Sequence, residues 1–172
     1  LNKLNLKNIS YLFKNNKIIL TFVALLVIFI TYLSLPNFYQ QSDISKKLQT
    51  ELLNKFDINF KFSKNIKYNF FPKPHFIIRD PKILYNEKEI SKIRKLKIFI
   101  SFDDLFSLKN IKVQDLIFEN ANFYLTQKNY QFFFDLINKN FEDGDITIKN
   151  SNIFFKNAQD EVLFINKILK MK

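Results

Sequence analysis

The stretch from Ile18 to Leu35, IILTFVALLVIFITYLSL, decides how the rest of the chain can fold. It contains no charged residue, and Pro36 follows it directly. A helix of this length is about 27 Å long, close to the roughly 30 Å hydrocarbon core of a bilayer. In a helix the hydroxyls of Thr21, Thr31 and Ser34 can bond to carbonyls one turn earlier. The stretch therefore predicts a transmembrane helix over residues 18–35.

The residues before this span form a short basic tail. Residues 1–17 contain no acidic residue and four lysines, Lys3, Lys7, Lys14 and Lys17. Because positive charge beside a span favours the cytoplasmic side, we expect residues 1–17 in the cytoplasm and the remainder across the membrane. A cleaved signal peptide is the alternative, but its apolar region is about 7–15 residues long and ends in small residues. The segment SLPNFYQQ offers no such cleavage site, so we expect an uncleaved, single-pass anchor.

The composition of the chain indicates one folded domain after the span. Residues 36–172 are enough for a single core, and the hydrophobic fraction of 47%, with 22 Phe, is not that of a disordered chain. There is one Gly, and the abundant Asn can replace Gly where the backbone turns left-handed. The absence of Cys excludes disulfides and thiolate metal sites.

The formal charge of +11 bears on the choice of partner. Only Arg79 and Arg94 are arginines, and the lysines are spread along the chain rather than clustered. This pattern does not favour nucleic acid, whereas a domain held beside lipid headgroups can use scattered lysines. We therefore expect the membrane surface, and not nucleic acid, as the partner of this charge.

A short amphipathic helix is predicted after the span. In Ser42–Asn54, the apolar residues Ile44, Leu48, Leu52 and Leu53 fall at helical spacing in one narrow stripe. Ser42 or Asp43 is a suitable residue to cap its start. We expect this helix to pack its stripe against the first strands.

Beyond Lys55 apolar and polar residues alternate, which predicts β-strands. A strand is expected over Phe76–Leu84, with a bulge or an exposed edge at Pro81. The apolar side changes at Ile93, where the register slips, and again near Gln114 or Asp115, where a bulge is needed. The fold class is thus mainly β, an antiparallel meander that forms a curved, groove-like sheet.

The last third of the chain adds further elements. Gln131–Lys139 favours a short helix, and Phe141–Gly144 is a turn that carries the single Gly. Three further strand candidates follow, and the last of them, EVLFINKIL, is apolar. An edge strand of this kind invites pairing with a strand of another protein or of a second copy.

The alternation places one set of apolar residues on a common face of the sheet. An exposed apolar face of this size is used or covered in soluble domains, so the face either forms a closed core or holds acyl chains. Both interpretations stay open from the sequence. The residues of this candidate face are Ile66, Tyr68, Phe70, Ile98, Ile100, Ile111, Val113, Leu116, Phe118, Phe123 and Leu125.

No constellation of residues indicates catalysis. His75 is the single His and is expected to be an exposed or edge imidazole, since no acidic pair lies near it in the sequence. Asp103 and Asp104 are adjacent, so they are better explained as a helix cap and a surface residue. We expect no enzyme activity, no cofactor and no metal site.

Two segments resemble the AsmA family. The tail, the span and the short helix lead into FFPKPHFIIRDPKIL, which is similar to the family's F-P-x-P element before a strand. The residues that carry this likeness are Phe71, Pro72, Pro74, Phe76 and Asp80. Downstream, a strand ending at a serine, the turn at Asp104–Phe106 and the pair Asn129 and Tyr130 resemble the next block. The resemblance covers residues 18 to about 155 and the N-terminal part of longer family members.

The resemblance implies a protein of the inner membrane whose domain faces the periplasm and serves outer-membrane biogenesis and lipid homeostasis. The family is similar to bridge-like carriers that hold lipids in an apolar β groove, and no catalytic residues come with it. We therefore expect a membrane-anchored, periplasmic AsmA-like domain over residues 36–172, incomplete at its C-terminus, that contacts acyl chains. The alternative is an envelope adaptor whose closed β domain binds other envelope proteins.

The orientation of the anchor is testable with reporter fusions. A reporter that is active only in the periplasm, fused after Lys172, is expected to be active because the basic residues 1–17 hold the N-terminus in the cytoplasm. A reporter that is active only in the cytoplasm, fused at the same position, is the control and should stay silent. Activity of that second reporter would contradict the predicted orientation.

Overall fold

The computed structural model describes residues 17–63, 65–103, 105–138 and 144–172. The predicted tail before Lys17, Asp104 of the family-like turn and most of the predicted turn before Gly144 lie outside the described residues. The described part contains three α-helices: α1 (Lys17–Ser34), α2 (Gln41–Phe56) and α3 (Tyr130–Asn138). Two short 3-10 turns, Leu35–Phe38 and Leu108–Asn110, complete the helical elements described.

Helix α1 has the length and composition of a membrane span. The apolar segment Lys17–Phe38 is long enough to cross a bilayer, and it is exposed along nearly its whole length. The hydroxyls of Thr21, Thr31 and Ser34 donate to carbonyls four residues earlier, at 2.8–2.9 Å, as predicted. A helix that satisfies its own polar groups and exposes apolar side chains is suited to lipid, and α1 is long and apolar enough to span a membrane.

Helix α2 packs one apolar stripe on the domain. Ile44, Leu48 and Leu52 are buried as predicted, and Phe56 extends the stripe by one turn, whereas Leu53 is exposed. The helix begins at Gln41, so the predicted capping by Ser42 or Asp43 is wrong. It ends at Phe56, and the left-handed backbone of the following Asp57 (φ 59°) lets the N–H of Ile58 turn back to the carbonyl of Leu52 at 3.4 Å.

The strands form two sheets. A small sheet has the order β1-β4-β5, and a larger one has the order β2-β3-β6-β7-β8-β9. The described strands are β1 (Asn59–Lys61), β2 (Ile66–Asn69), β3 (His75–Arg79), β4 (Lys82–Tyr85), β5 (Lys88–Glu89), β6 (Ser91–Ile100), β7 (Val113–Leu125), β8 (Ile146–Lys156) and β9 (Val162–Met171). The mainly β class with an apolar N-terminal helix and a short amphipathic helix is confirmed.

The predicted antiparallel meander needs one correction. Strands β7 and β8 pair in parallel, from Leu116 opposite Ile146 to Leu125 opposite Phe155. Parallel neighbours require a crossover connection, and α3 lies within it. The helix favoured for Gln131–Lys139 is confirmed as far as Asn138, beyond which Lys139 lies outside the described residues. The parallel pairing of β7 and β8 makes the sheet mixed.

The segment predicted as one strand over Phe76–Leu84 is divided between the two sheets. Strand β3 pairs with β6 in the large sheet, and β4 pairs with β1 in the small sheet. The division falls at Asp80, which has a φ of 50°, and at Pro81. A left-handed residue before a proline turns the chain out of the first sheet, so a bulge within one strand is the wrong description.

Two irregularities keep the apolar side chains of the large sheet on one face. Ile98 pairs with Leu116 and Ile100 with Val113, so β7 holds one extra residue between these pairs, which confirms the bulge predicted at Gln114 or Asp115. The buried positions of β6 change parity between Ile93 and Leu96, as expected from the slip at Ile93. The same change recurs in the neighbouring strands at two left-handed asparagines, Asn120 (φ 55°) and Asn150 (φ 47°).

The core lies between this face and a cover made of α2, the small sheet and α3. Phe118 of β7 is fully buried, with its ring centroid 6.1 Å from Phe60 of β1 and 5.9 Å from Phe123. Phe133 of α3 then packs edge-on against Phe123 at 5.9 Å. The aromatic contacts thus run from the small sheet to the crossover helix through one layer.

Phe118 is fully buried at the centre of these aromatic contacts, so its truncation tests the position of the core. Phe118→Ala is expected to lower the free energy of unfolding by about 3–5 kcal/mol, because it removes a buried ring and leaves a cavity. Denaturant unfolding of the detergent-solubilised protein, followed by circular dichroism, measures the change. Phe134→Ala is the control, since Phe134 is 57% exposed, and its effect should stay within about 0.5 kcal/mol. Equal losses in the two variants would contradict the position of the core.

Candidate functional site

The residues predicted for the apolar face lie together, but most of them are covered. Tyr68 and Leu125 are partly buried, and Phe70 lies just beyond the end of β2 and is exposed. The other eight side chains are at most 6% exposed and form one layer: Ile66, Ile98, Ile100, Ile111, Val113, Leu116, Phe118 and Phe123. From β2 to β7 the face is therefore a closed core and not an open groove.

The apolar face continues beyond its cover onto β8 and β9. Leu125 of β7 pairs with Phe155 of β8, and Phe155 pairs with Phe164 of β9. The rings of Phe155 and Phe164 stack with their centroids 4.0 Å apart, yet Phe164 is 56% exposed. The row formed by Leu125, Phe155 and Phe164 therefore leads from the covered layer to an open apolar surface.

Strand β9 is the edge of the large sheet among the described residues. Five of its apolar side chains are exposed, Val162, Leu163, Phe164, Ile165 and Leu169, whereas Ile168 and Met171 are partly buried. Since β9 pairs with β8 on one side only, its other side presents backbone N–H and C=O groups to the surroundings. Apolar side chains and free backbone groups thus occur on the same strand.

The opposite face of the sheet is polar in its middle. The carboxylate of Glu119 on β7 accepts hydrogen bonds from Lys95 at 2.5 Å and from Lys97 at 2.8 Å. Burial raises the pKa of Glu119, but the hydrogen bonds and charges of the two lysines outweigh it and lower that pKa below its ordinary value. Beside it, the amide of Asn152 donates to Asn122 at 2.9 Å. Apolar contact is thus concentrated on the inner face and on β9.

The residues of the family-like motif have structural roles at β3 or lie in the loop before it. Phe76 is fully buried in the core, and the carbonyl of Pro74 accepts the N–H of Ile100 at 3.0 Å. The N–H of Asp80 donates to the carbonyl of Arg94 at 3.2 Å. Phe71 and Pro72, in contrast, lie in an exposed loop between β2 and β3. The motif therefore fixes the two ends of β3 and does not gather a ligand site.

Asn129 and His75 are both buried and hydrogen-bonded. Asn129 accepts the N–H of Thr126 and donates to the carbonyl of Tyr124, each at 2.8 Å, and so ties the end of β7 to α3. His75 lies within the large sheet, where its Nδ1 donates to the carbonyl of Lys73 at 2.8 Å and its ring stacks on Phe99. The expectation of an exposed or edge imidazole is therefore wrong.

The sequence reasoning missed the joint between α1 and the domain. Tyr32, in the last turn of α1, donates to the carbonyl of Phe102 at 2.8 Å and accepts the N–H of Leu105 at 3.0 Å. The hydroxyl of Tyr68 donates to the carbonyl of Leu33 at 2.7 Å. Burial, with a smaller contribution from Tyr32, raises the pKa of Tyr68 to about 12, so this hydroxyl keeps its proton at neutral pH. No spacing in the sequence signals contacts over such separations.

No family model matches the chain, and a search of the curated proteins finds no match to it.

The ion pairs of Glu119 with Lys95 and Lys97 make the free energy of unfolding depend on pH. Because the folded state lowers the pKa of Glu119, its contribution is complete above the ordinary value of 4.5 and is lost as the pH falls through the lowered pKa. Glu119→Gln should therefore cost at most about 1 kcal/mol at neutral pH and less in acid. Urea unfolding of the wild type and of Glu119→Gln, at neutral pH and at a pH below 4.5, measures this difference in the free energy of unfolding.

Glu89→Gln is the matched control, because Lys82, the partner of Glu89 among the described residues, has an exposed side chain. Its effect at neutral pH should be smaller than that of Glu119→Gln. A Glu119→Gln difference that stays constant from neutral to acidic pH would contradict the role of the lysine pair.

Proposed function

We propose that the chain is a non-enzymatic, AsmA-like protein anchored in the inner membrane, with its β domain in the periplasm. Its function is outer-membrane biogenesis and lipid homeostasis, through contact of phospholipid acyl chains with the apolar surface of β8 and β9. The observation that carries the proposal is the row of Leu125, Phe155 and Phe164, which continues the apolar face to an open edge.

The chemistry of this surface suits an acyl chain. Phe155 and Phe164 offer stacked rings without a charged group between them, and an acyl chain needs apolar contact rather than directed hydrogen bonds. Soluble domains rarely leave a large apolar patch open unless a ligand or partner uses it. A membrane anchor on the same chain supplies lipid nearby.

The size of the sheet limits what one domain can do. Six strands about 4.8 Å apart make a sheet roughly 24 Å wide from its first strand to its last. That width is smaller than the roughly 30 Å core of one bilayer. The domain is therefore proposed as one segment of a lipid path and not as a bridge between two membranes.

A second candidate function is an envelope adaptor that pairs β9 with a strand of another protein or of a second copy. The closed core from β2 to β7 and the open edge of β9 favour it. The charges along the edge also restrict the partner, because Asp160 and Glu161 lie just before β9 and Lys167 and Lys170 lie towards its end. A partner strand with the opposite order of charges fits best.

Photo-crosslinking separates the two functions. The full chain is reconstituted in vesicles that contain a phospholipid with a photoreactive acyl chain, and the crosslinked peptides are mapped by mass spectrometry. We expect crosslinks on β9 as well as on α1, and Phe164→Lys should abolish those on β9 because a charge there disfavours acyl chains. Phe134→Lys, at an equally exposed position on α3, should leave them unchanged.

The contrary outcome is equally specific. Crosslinks on α1 but none on β9, together with slow hydrogen exchange of β9 amides, would indicate a bound strand and support the adaptor function. Whether hydrogen exchange of β9 is slow or fast, the absence of β9 crosslinks would contradict acyl-chain contact at this edge.

A further inference from the structure

Five exposed phenylalanines surround the place where α1 enters the domain. They belong to three separate segments: the turn after α1, the loop between β2 and β3, and the loop after β6. Three of them are among the most exposed apolar side chains described, Phe38 at 80%, Phe71 at 79% and Phe106 at 73%. We name this set the phenylalanine rim, and its members are Phe38, Phe70, Phe71, Phe102 and Phe106.

The register of the large sheet brings the loops of the rim to one end. Asn69, at the end of β2, pairs with His75 at the start of β3. His75 pairs with Phe99 near the end of β6, and Ile100 pairs with Val113 at the start of β7. The loops that hold Phe70, Phe71, Phe102 and Phe106 therefore leave the same end of the sheet, next to the joint with α1.

Contacts with α1 fix the depth of this end in the membrane. Tyr32 is two residues before the end of the helix, a distance of about 3 Å along its axis. Its hydroxyl holds the backbone of Phe102 and Leu105, and its ring lies 4.9 Å from the ring of Phe106. When α1 spans the bilayer, Phe106 therefore lies at the level of the last helical turn.

The loop between β2 and β3 is also held close to the last turn of α1. The hydroxyl of Tyr68 bonds to the carbonyl of Leu33 at 2.7 Å, and β2 runs from Tyr68 directly towards Phe70 and Phe71. Phe38 follows α1 within one short turn. All three segments are thus tied to the last turns of the span rather than to a free linker.

We propose that the phenylalanine rim inserts into the leaflet from which α1 emerges, so that the domain rests on the bilayer in a fixed orientation. Amphipathic tyrosines such as Tyr32 are typical of the membrane interface, and exposed Phe rings beside it gain by leaving water. Lys67 and Lys73 are exposed in β2 and in the loop that follows it, where they can meet lipid phosphates. This inference needs the anchor alone and not the proposed function.

Tryptophan fluorescence tests the inference, because the chain contains no Trp. Phe71→Trp and Phe106→Trp each place one reporter in the rim, and Phe134→Trp on α3 is the control with a similar exposed side chain remote from the joint. The full-length variants are reconstituted in phospholipid vesicles that contain lipids brominated near the headgroup end of the acyl chains. Both rim reporters should emit at shorter wavelength and be quenched several-fold more strongly than the control.

Equal quenching of either rim reporter and the control would overturn the proposal. A shift to shorter wavelength without bromine quenching would also overturn it, since it would indicate that protein and not lipid covers the rim. Circular dichroism verifies the fold of each variant, and Phe38→Trp, in the third segment, replaces either rim reporter that fails to fold. Lipid crosslinks at Phe164 are independent of this result, so failure of the rim and failure of the proposed function are distinguishable.

Discussion

The structure depends on one constraint, which is that a sheet with one apolar face must have that face covered. From β2 to β7 the cover is complete, since α2, the small sheet and α3 bury Phe118 and its neighbours. At β8 and β9 the cover ends, although the apolar row continues through Phe155 to Phe164. The same face of the sheet is thus a buried core in one part and an exposed apolar surface in the other. What the chain can bind follows from where the cover stops.

Left-handed asparagines keep the apolar side chains on one face of the large sheet, a role that the one glycine of this chain does not fill. A sheet whose strands are long enough to cross the domain must bend, and each bend would turn the apolar side chains to the wrong face unless all neighbouring strands bend together. Asn120 and Asn150 adopt the left-handed conformation in adjacent strands, and Asp80 does so at the end of β3. The single described glycine serves a different need, because a Cβ at Gly144 would lie 1.9 Å from the carbonyl oxygen of Gln114.

The sequence predicted the parts of the fold that depend on local pattern. The stripe of α2, the alternating face from Ile66 to Phe123 and the bulge near Gln114 all follow from the spacing of apolar residues. The closed cover could not be predicted, because alternation shows which side is apolar and not what packs on it. The joint through Tyr32 and Tyr68 was missed for the same reason, since its partners are 35 to 73 residues apart in the chain.

The parallel pair of strands had a sequence signal that periodicity does not reveal. The segment DLIFENANFYL begins at Asp115, and DITIKNSNIFF begins at Asp145, thirty residues later. Strands β7 and β8 pair with this same offset, so that each residue lies beside its counterpart, and Asn122 bonds to Asn152. A search for internal repeats would have predicted two equivalent strands joined by a crossover, and hence a parallel pair.

Two open apolar surfaces of the described domain lie at opposite ends of the large sheet. The phenylalanine rim lies where β6 ends and β7 begins, whereas Phe155 and Phe164 lie near the far end of β8 and the start of β9. From Ile148 to Phe155 the distance along β8 is about 23 Å, which exceeds the depth of a headgroup layer. A lipid that reaches Phe164 must therefore have left the bilayer. Between the two surfaces the inner face of β8 is covered, because Ile148 and Ser151 are buried there, whereas Phe164 on the neighbouring strand is exposed. The phenylalanine rim and the edge at Phe164 are therefore two separate surfaces and not the two ends of one open apolar path along β8.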